Sequence, residues 1–357
     1  MHDPLESSCR QGVLSVFPRA LGYLFLGMGL FCLADWAVRT PPAQARLWDA
    51  VGRRVGAGDW FMGNVVEMRR IKIEEATWAH QREVILVGSS QVAAGFDVSR
   101  LNEGMSGIAV RRMSVGDMDS VRVLFALPYL CVGKNDVVVW YVSARDVAAT
   151  SPLQPNWMRP FCSWRGIAEI MPLLGRRDAI TSWRSIADLF LAASSELWRS
   201  RDYSRHILLN LGGLNDPIRS NSAQDQLQQD LDKTVAMRER LGPAEQAMLE
   251  DVQFAALGRA LRLLAQGRGK QLIVMEGQLN PQSTSPEVKR LEARLDTMLG
   301  TWAEEFGFTY LSRADQGIEH PVSEWKDSTH LNAIGRSKLT GCLLEYFRHK
   351  PAGSSNP

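Results

Sequence analysis

The chain has 357 residues, which is enough for one large domain or two ordinary ones. Hydrophobic residues make up 45% and charged residues 22%, as in globular proteins, and the formal charge of +2 is close to neutral. Because no basic run or aromatic-basic patch stands out, nucleic acid is not expected as a partner. The five scattered cysteines contain no CxxC pair, which argues against a zinc ribbon or a redox motif.

The first marked feature along the chain is an apolar segment. Residues 1–11 form a polar tail. In the following stretch, 12–38, about 23 successive residues are uncharged except for Arg19, whose side chain can reach the lipid headgroups. This length predicts a single transmembrane anchor over 12–38. A cleaved signal peptide is the alternative, because Ala43-Gln44-Ala45 has the form of a cleavage site, although it lies about ten residues past the apolar run.

Residues 39–82 are predicted to be a helical linker that lies along the membrane surface or joins the anchor to a domain over 83–349. In that domain apolar, β-branched runs alternate with segments of helical spacing. The predicted strands are Glu83–Gly88, Ile108–Val115, Asp136–Val142, Lys270–Met275 and Phe308–Leu311. The alternation predicts βαβ units and therefore an α/β fold, a three-layer α/β/α parallel sheet of the flavodoxin-like kind.

Residues 146–245 interrupt this pattern. The block is rich in tryptophan, has several prolines near its start and contains stretches of helical spacing. We interpret it as a helical insertion over the catalytic face and not as a separate domain, after which the alternation of helix and strand resumes. Residues 350–357 are predicted to be a polar tail.

The first predicted strand ends in Gly88-Ser89-Ser90, and a helix is expected just after it. The first N–H groups of a helix are unpaired and carry partial positive charge, so they can hold a developing oxyanion. A serine hydroxyl at this point is well placed for chemistry. Small residues after a strand are also what a simple turn requires, so the motif alone leaves both interpretations open.

A second motif, Asp327-Ser328-Thr329-His330, precedes the last predicted helix. An aspartate three residues before a histidine can accept a hydrogen bond from imidazole Nδ1–H, which leaves Nε2 free as a base. A serine hydroxyl needs such a base to become nucleophilic at neutral pH. A surface histidine beside an acidic residue would produce the same spacing.

Together, GSS after the first strand, a glycine after the second and DSTHLNAIG before the last helix resemble the SGNH (GDSL-like) hydrolase superfamily. Serine in place of the GDS aspartate, an N-terminal anchor and a helical insertion look most like its membrane-anchored acyl-transfer branch. That branch includes the DltD proteins of teichoic acid alanylation and the SGNH-like proteins of bacterial polysaccharide acetylation. The resemblance spans about residues 83–149 and 268–347.

The resemblance implies a catalytic triad. Ser90 takes the position of the nucleophile, His330 that of the base and Asp327 that of its orienting carboxylate. The backbone N–H groups of Ser90 and Gly116 would form the oxyanion hole. Ser89 is the second choice as nucleophile, and it is otherwise expected to shape the turn or contact substrate.

The chain departs from the family pattern in one place. An asparagine that donates to the oxyanion is expected after the third strand, where this chain has Ser143, Ala144, Arg145 and Asp146. Ser143 or Arg145 could substitute, or the donor is missing, and loss of one such donor can cost ~10²–10³ in rate.

Further candidate substrate contacts are Arg145 and, after the fourth strand, Gln278 and Asn280, since the carboxyl ends of parallel strands share one edge. His206 and His320 lie in loop-like sequence and are expected to be solvated. No cluster has the spacing of a metal site, so neither a metal nor another cofactor is predicted.

The function that the resemblance implies is transfer of an acyl group, most simply acetyl, onto or off a bacterial cell-surface polysaccharide. The domain would lie in the periplasm, held by a single-pass inner-membrane anchor, with an MBOAT-type membrane acyltransferase as donor partner. One alternative is a non-catalytic subunit of a polysaccharide synthesis or secretion complex. Another is a simple periplasmic esterase.

Overall fold

The computed structural model describes residues 23–52, 65, 68–69, 83–105, 107–114, 116, 118–130, 137–148, 158–174, 183–201, 242–267 and 271–349. Its centre is a sheet of five strands, each predicted within one residue at either end. They are β1 (Glu83–Gly88), β2 (Ala109–Ser114), β3 (Val137–Val142), β4 (Gln271–Glu276) and β5 (Thr309–Leu311). The order is β2-β1-β3-β4-β5 and every pair is parallel, so the predicted flavodoxin-like sheet is confirmed.

Helices connect these strands. Those with complete bounds are α1 (Pro41–Gly52), α2 (Ser90–Gly95), α3 (Val98–Gly104), α4 (Ser120–Leu130), α5 (Ala144–Val147), α6 (Trp164–Leu174), α7 (Trp183–Ser194), α8 (Glu196–Arg199), α9 (Pro243–Ala265), α10 (Pro286–Phe306), α11 (Arg313–Gln316) and α12 (Ala333–His349). Single 3-10 turns occur at Arg159–Phe161, Pro281–Ser283 and Val322–Glu324.

The sheet is covered on both faces. Val84 and Leu86 of β1 lie in one apolar cluster, with residues of α2, α3 and α12, whereas Ile85 and Val87 lie in the other, with residues of α4, α6, α9 and α10. Because alternate side chains of a strand point to opposite faces, a run of four buried apolar residues requires helices on both sides. The result is the predicted three-layer α/β/α arrangement.

The described parts of the insertion, 158–174 and 183–201, are mostly helical and join the core on the α4 side of the sheet. Helix α6 approaches α4 so closely that a Cβ on Gly166 would lie 2.4 Å from the carbonyl oxygen of Phe125. Of the predicted insertion, 149–157, 175–182 and 202–241 lie outside the described residues.

The segment predicted as a linker contributes to the core. Trp48 of α1 is fully buried with Val65 and Met68, and the Arg69 guanidinium lies 5.0 Å from the Trp48 ring centroid. Helical periodicity does not reveal this, because it does not show which part of the chain covers the Trp48 side chain. Of this segment, 53–64, 66–67 and 70–82 lie outside the described part of the chain.

Residues 23–38 are helical and mostly exposed. Among the residues that the structure describes, no helix is both long enough and apolar enough to cross a membrane. The first part of the predicted anchor, 12–22, lies outside them.

Candidate functional site

The carboxyl ends of β1, β2 and β3 meet at one edge of the sheet, and Gly88 shapes the turn that leaves β1. Its φ is +150°, and a Cβ there would lie 2.6 Å from Val92 Cγ2 and 2.7 Å from the Tyr141 carbonyl oxygen. A side chain is therefore excluded both by the backbone conformation and by space. The glycine allows the chain to pass close to β3 and to start α2 immediately.

Ser89 and Ser90 stand at the start of α2 and are buried. Ser89 is the N-cap residue with an extended backbone, but its hydroxyl makes no capping hydrogen bond. Ser90 is the first helical residue, so its backbone N–H has no acceptor within the helix. This is the position that the sequence predicts for a nucleophile whose own N–H can face an oxyanion.

Asp327 and His330 form the predicted carboxylate–imidazole pair. His330 Nδ1 lies 2.8 Å from Asp327 Oδ2 and 3.0 Å from Oδ1, and Asp327 Oδ1 accepts the N–H groups of Thr329 and His330 at 2.9 Å each. Burial alone would raise the pKa of Asp327, but the hydrogen bond and charge of His330 and these N–H groups lower it to about 2. The ionised carboxylate holds Nδ1 and leaves Nε2 free to act as a base.

The two arms of the loop that carries this pair are joined by backbone hydrogen bonds. Trp325 and Leu331 pair as an antiparallel bridge, and the Lys326 N–H donates to the His330 carbonyl at 2.8 Å. The loop is therefore a short hairpin with the Asp327–His330 pair across its turn. Its backbone hydrogen bonds hold the imidazole in place before any ligand arrives.

Gln91 joins the two motifs. Its Nε2 donates to the Thr329 carbonyl at 3.3 Å, and its Oε1 accepts from Ser143 Oγ at 2.6 Å. The residue after Ser90 thus bonds the residue before His330, which brings both motifs to one edge. In this part of the described structure no hydrogen bond joins Ser90 Oγ to His330, although catalytic hydrogen bonds are often long in ligand-free enzymes.

Asn280 and Gln278, predicted as substrate contacts, are engaged by the protein itself. Asn280 Nδ2 donates to the Asp327 carbonyl at 3.1 Å, and its N–H donates to the Ser328 carbonyl at 3.1 Å. Gln278 Nε2 donates to the Ile318 carbonyl at 2.6 Å. Asn280 therefore supports the loop of the pair, and Gln278 supports a neighbouring loop.

Ser143 does not supply a free donor after β3. Its hydroxyl lies within hydrogen-bond distance of Gln91 Oε1 and of Asp146 Oδ2, at 2.6 and 3.2 Å. Asp146 in turn accepts the Ser143 N–H at 2.8 Å, which makes a capping box for α5. In this structure the one proton of the Ser143 hydroxyl is engaged by the protein, and its replacement of the family asparagine stays a prediction. Arg145 is half-buried in the first turn of α5.

The Asp146 carboxyl is buried beneath this edge, and burial raises its pKa to about 6 in spite of the hydrogen bonds from Ser143. The Ser89 hydroxyl lies near enough to lower that pKa as well, but its geometry does not meet that of a hydrogen bond. Ser114 at the end of β2 is a second buried hydroxyl without a partner. Buried hydroxyls are usually hydrogen-bonded, so these two have the capacity to bond a water or another polar group at this edge. Gly116 is buried in a turn two residues beyond Ser114.

The structure buries His320, contrary to the prediction from the sequence. It was predicted to be solvated, yet it is only 3% exposed, with Nδ1 2.8 Å from Glu324 Oε2 and with Nε2 buried without a partner. The Trp325 ring packs against it edge to face, and its Nε1 donates to the His320 carbonyl at 3.1 Å. The spacing of four residues between His320 and Glu324 was a signal that could have indicated the pair. His206 lies outside the described residues.

In the described portion of the chain, no group of three or more His, Cys, Asp or Glu side chains is arranged to hold a metal ion. The chain matches no protein-family model, and no similar sequence was found among curated proteins. Among solved structures it is similar to LAE5, an alpha/beta hydrolase enzyme from the metagenome of Lake Arreo, Spain, with a TM-score of 0.38 and 14% identity over 78% of this chain and 98% of that one. It is also similar to an extracellular lipase from Streptomyces rimosus, with a TM-score of 0.35 and 11% identity over 74% of this chain and 99% of that one. The identities and TM-scores are too low to carry an argument about activity.

Proposed function

We propose that the protein is a serine-dependent O-acyltransferase or esterase. The observation that carries the proposal is the Asp327–His330 pair, 2.8 Å between Nδ1 and Oδ2, held beside the turn of Ser90 by the contact of Gln91 with the Thr329 carbonyl. A carboxylate, an imidazole and a hydroxyl on one edge are the components of nucleophilic acyl transfer. The free N–H at the start of α2 adds a donor for the developing oxyanion.

In the proposed reaction, His330 Nε2 takes the proton of Ser90 Oγ as that oxygen attacks the ester carbonyl carbon. The carbonyl oxygen becomes an oxyanion, which accepts from the Ser90 and Gly116 N–H groups. When the tetrahedral intermediate collapses, the ester C–O bond breaks and the leaving alcohol takes the proton from Nε2. A sugar hydroxyl or water then attacks the acyl carbon and gives its proton to Nε2. The bond between the acyl carbon and Ser90 Oγ breaks, the acyl group stays on the acceptor oxygen, and Ser90 Oγ takes the proton from Nε2.

The polysaccharide substrate, the periplasmic location and an MBOAT-type donor belong to this proposal through the family resemblance alone, as does the inner membrane as the site of the anchor. An exposed apolar helix over 23–38 supports contact with a membrane. The acceptor is proposed to be a cell-surface sugar hydroxyl.

A second candidate function is that of a non-catalytic subunit of a polysaccharide complex. Two observations favour it: Ser90 and His330 share no hydrogen bond in the described structure, and the side chain after β3 that should donate to the oxyanion is bonded elsewhere. The intact Asp327–His330 pair opposes it, because a scaffold does not need an oriented imidazole.

A fluorophosphonate probe, which phosphonylates activated serines, distinguishes the two functions. We expect labelling of the full chain to be lost in Ser90→Ala and in His330→Ala but kept in Ser89→Ala. No labelling of the folded wild type, together with unchanged polymer acylation in cells carrying Ser90→Ala, would overturn the enzymatic proposal. Labelling that is lost in Ser89→Ala instead would move the nucleophile by one residue.

An assay with and without an added sugar acceptor distinguishes transferase from esterase activity. With a soluble acetyl ester as donor, a transferase should release alcohol faster when an oligosaccharide is added and should yield an acetylated sugar. An esterase should release acetate at the same rate with or without the sugar.

A further inference from the structure

The helix over residues 23–38 exposes large apolar side chains in all directions. From Tyr23 to Leu33, eight large hydrophobic residues are 45–74% exposed, and their positions go fully round a helix with a 3.6-residue period. A helix that is apolar on one side fits a protein groove, whereas one that is apolar all round fits a surrounding apolar medium. Lipid is therefore the environment that matches this helix.

The end of this helix is attached to the insertion. Asp35 Oδ1 accepts from Ser195 Oγ at 2.8 Å and from the Leu197 N–H at 2.9 Å, at the N-cap and in the first turn of α8. The Arg39 guanidinium bonds Asp35 and the Ser194 carbonyl. Asp35 is only 6% exposed, so these hydrogen bonds are buried, and they hold the helix against the insertion.

An apolar surface begins one helical turn from this contact. We call it the insertion patch and define it as Trp164, Met171, Phe190 and Leu191, which are 54%, 39%, 36% and 49% exposed. The rings of Trp164 and Phe190 lie 5.4 Å apart and join α6 to α7. On α7, Phe190 and Leu191 occupy the outward face that continues to Ser194, where Arg39 bonds.

The charge beside the patch is positive. Arg165 follows Trp164 on α6 and Arg184 lies near the start of α7, and both are exposed. Neither makes an ion pair within the part of the chain that the structure describes. Two free guanidinium groups beside aromatic and aliphatic side chains match the boundary of a bilayer, where tryptophan sits at the headgroups and arginine meets anionic lipids.

We propose that the insertion patch, with Arg165 and Arg184, contacts the surface of an anionic lipid bilayer. The all-round apolar helix and the patch are continuous through the Asp35 contact, so lipid around the one brings lipid to the other. The domain would then be held at the membrane in one orientation. This proposal does not depend on the chemistry of Ser90.

The test places an environment-sensitive fluorescent amino acid at Phe190 in the full chain. A matched control carries the same amino acid at Ile334, which is 60% exposed on α12, on the opposite face of the sheet. The proteins are reconstituted into vesicles of phosphatidylcholine and phosphatidylglycerol, some with a nitroxide on the headgroup. We expect the nitroxide to quench position 190 about twofold or more, because an interfacial side chain lies within ~5–10 Å of the headgroups. Position 334 should be quenched only by aqueous iodide.

The arginines are tested in the same format. Arg165→Glu together with Arg184→Glu should reduce lipid quenching at position 190 on anionic vesicles, without changing the response at position 334. Equal iodide quenching at the two positions, with no nitroxide effect at 190, would overturn the proposal. So would protection of position 190 that rises with protein concentration in detergent without vesicles, since a second copy of the chain would then cover the patch.

Discussion

Gln91 donates from Nε2 to the Thr329 carbonyl over 3.3 Å, a contact between residues 238 positions apart in the sequence. Gln91 follows Ser90 and Thr329 precedes His330, so this bond joins the two motifs. Its Oε1 accepts from Ser143, which ties the same side chain to the end of β3. A single buried side-chain amide thus connects three segments of the edge. Neither motif predicts this connection from its sequence.

Gln91→Ala should therefore slow phosphonylation of Ser90 by about 10-fold or more, because a loss of alignment of about 1 Å can cost up to about 100-fold. The measurement is the rate of fluorophosphonate labelling under native conditions. Gln253→Ala is the matched control, since Gln253 is also buried and accepts the Val121 N–H at 3.1 Å, but it belongs to α9. Both variants should lower the free energy of unfolding, and equal labelling rates would contradict a positioning role for Gln91.

Asp327→Asn should lower the labelling rate by about 10²–10⁴-fold, because an amide no longer stabilises the imidazolium or selects its tautomer. The asparagine oxygen can still accept the Thr329 and His330 N–H groups, so the loop should stay folded. Asp315→Asn is the control, because Asp315 also accepts a backbone N–H in a capping box, but on α11. A rate in Asp327→Asn that equals the rate in Asp315→Asn would exclude a triad.

Asp146 should make stability depend on pH in a defined window. Its pKa in the folded protein is raised to about 6 from 3.8, so the unfolded chain loses this proton more readily. The folded state is therefore disfavoured as pH rises from about 4 to 6, by up to about 3 kcal/mol. Asp146→Asn keeps the capping oxygen and removes the titration.

We expect Asp146→Asn to be more stable than wild type at neutral pH and the difference to vanish near pH 4, as measured by urea unfolding across that range. A difference that does not change with pH would contradict the raised pKa. Asp327 acts with the opposite sign below this window. Its pKa is lowered to about 2, so its contribution is present above about pH 4 and is lost as the pH falls towards 2.

Gly88→Ala should destabilise the protein by about 2–4 kcal/mol, because the added carbon overpacks the turn and the φ of +150° is strained for alanine. Gly107→Ala is the control. Gly107 also has a positive φ, +78°, but no atom lies within 4 Å of its Cβ position, so only strain of about 1–2 kcal/mol is expected. Urea unfolding measures both. If both variants lowered the free energy of unfolding equally, the close contacts at the Gly88 Cβ position would add nothing to the cost of backbone strain.

The sequence by itself determined the sheet. The central strands β1, β3 and β4 are runs of mostly apolar residues, which predict buried strands from their own composition. Pro243 and Pro286 mark the starts of α9 and α10, because proline suits the first turn of a helix. The spacing of Asp327 and His330 is local as well, so their contact could be predicted from three residues of separation. The position of the Ser90 hydroxyl at the start of α2 could likewise be predicted from the local sequence.

Only the tertiary structure decided which side chains remain available at the edge. Asn280 and Ser143 looked free in the sequence, but they are bonded to the Asp327 loop and to Gln91. His320 looked solvated, but Trp325 and Glu324 enclose it. Trp48 looked like part of a linker, but it lies in the core. Hydrogen-bond partners and burial depend on segments that are distant in the chain, and periodicity carries no information about which distant segment packs where.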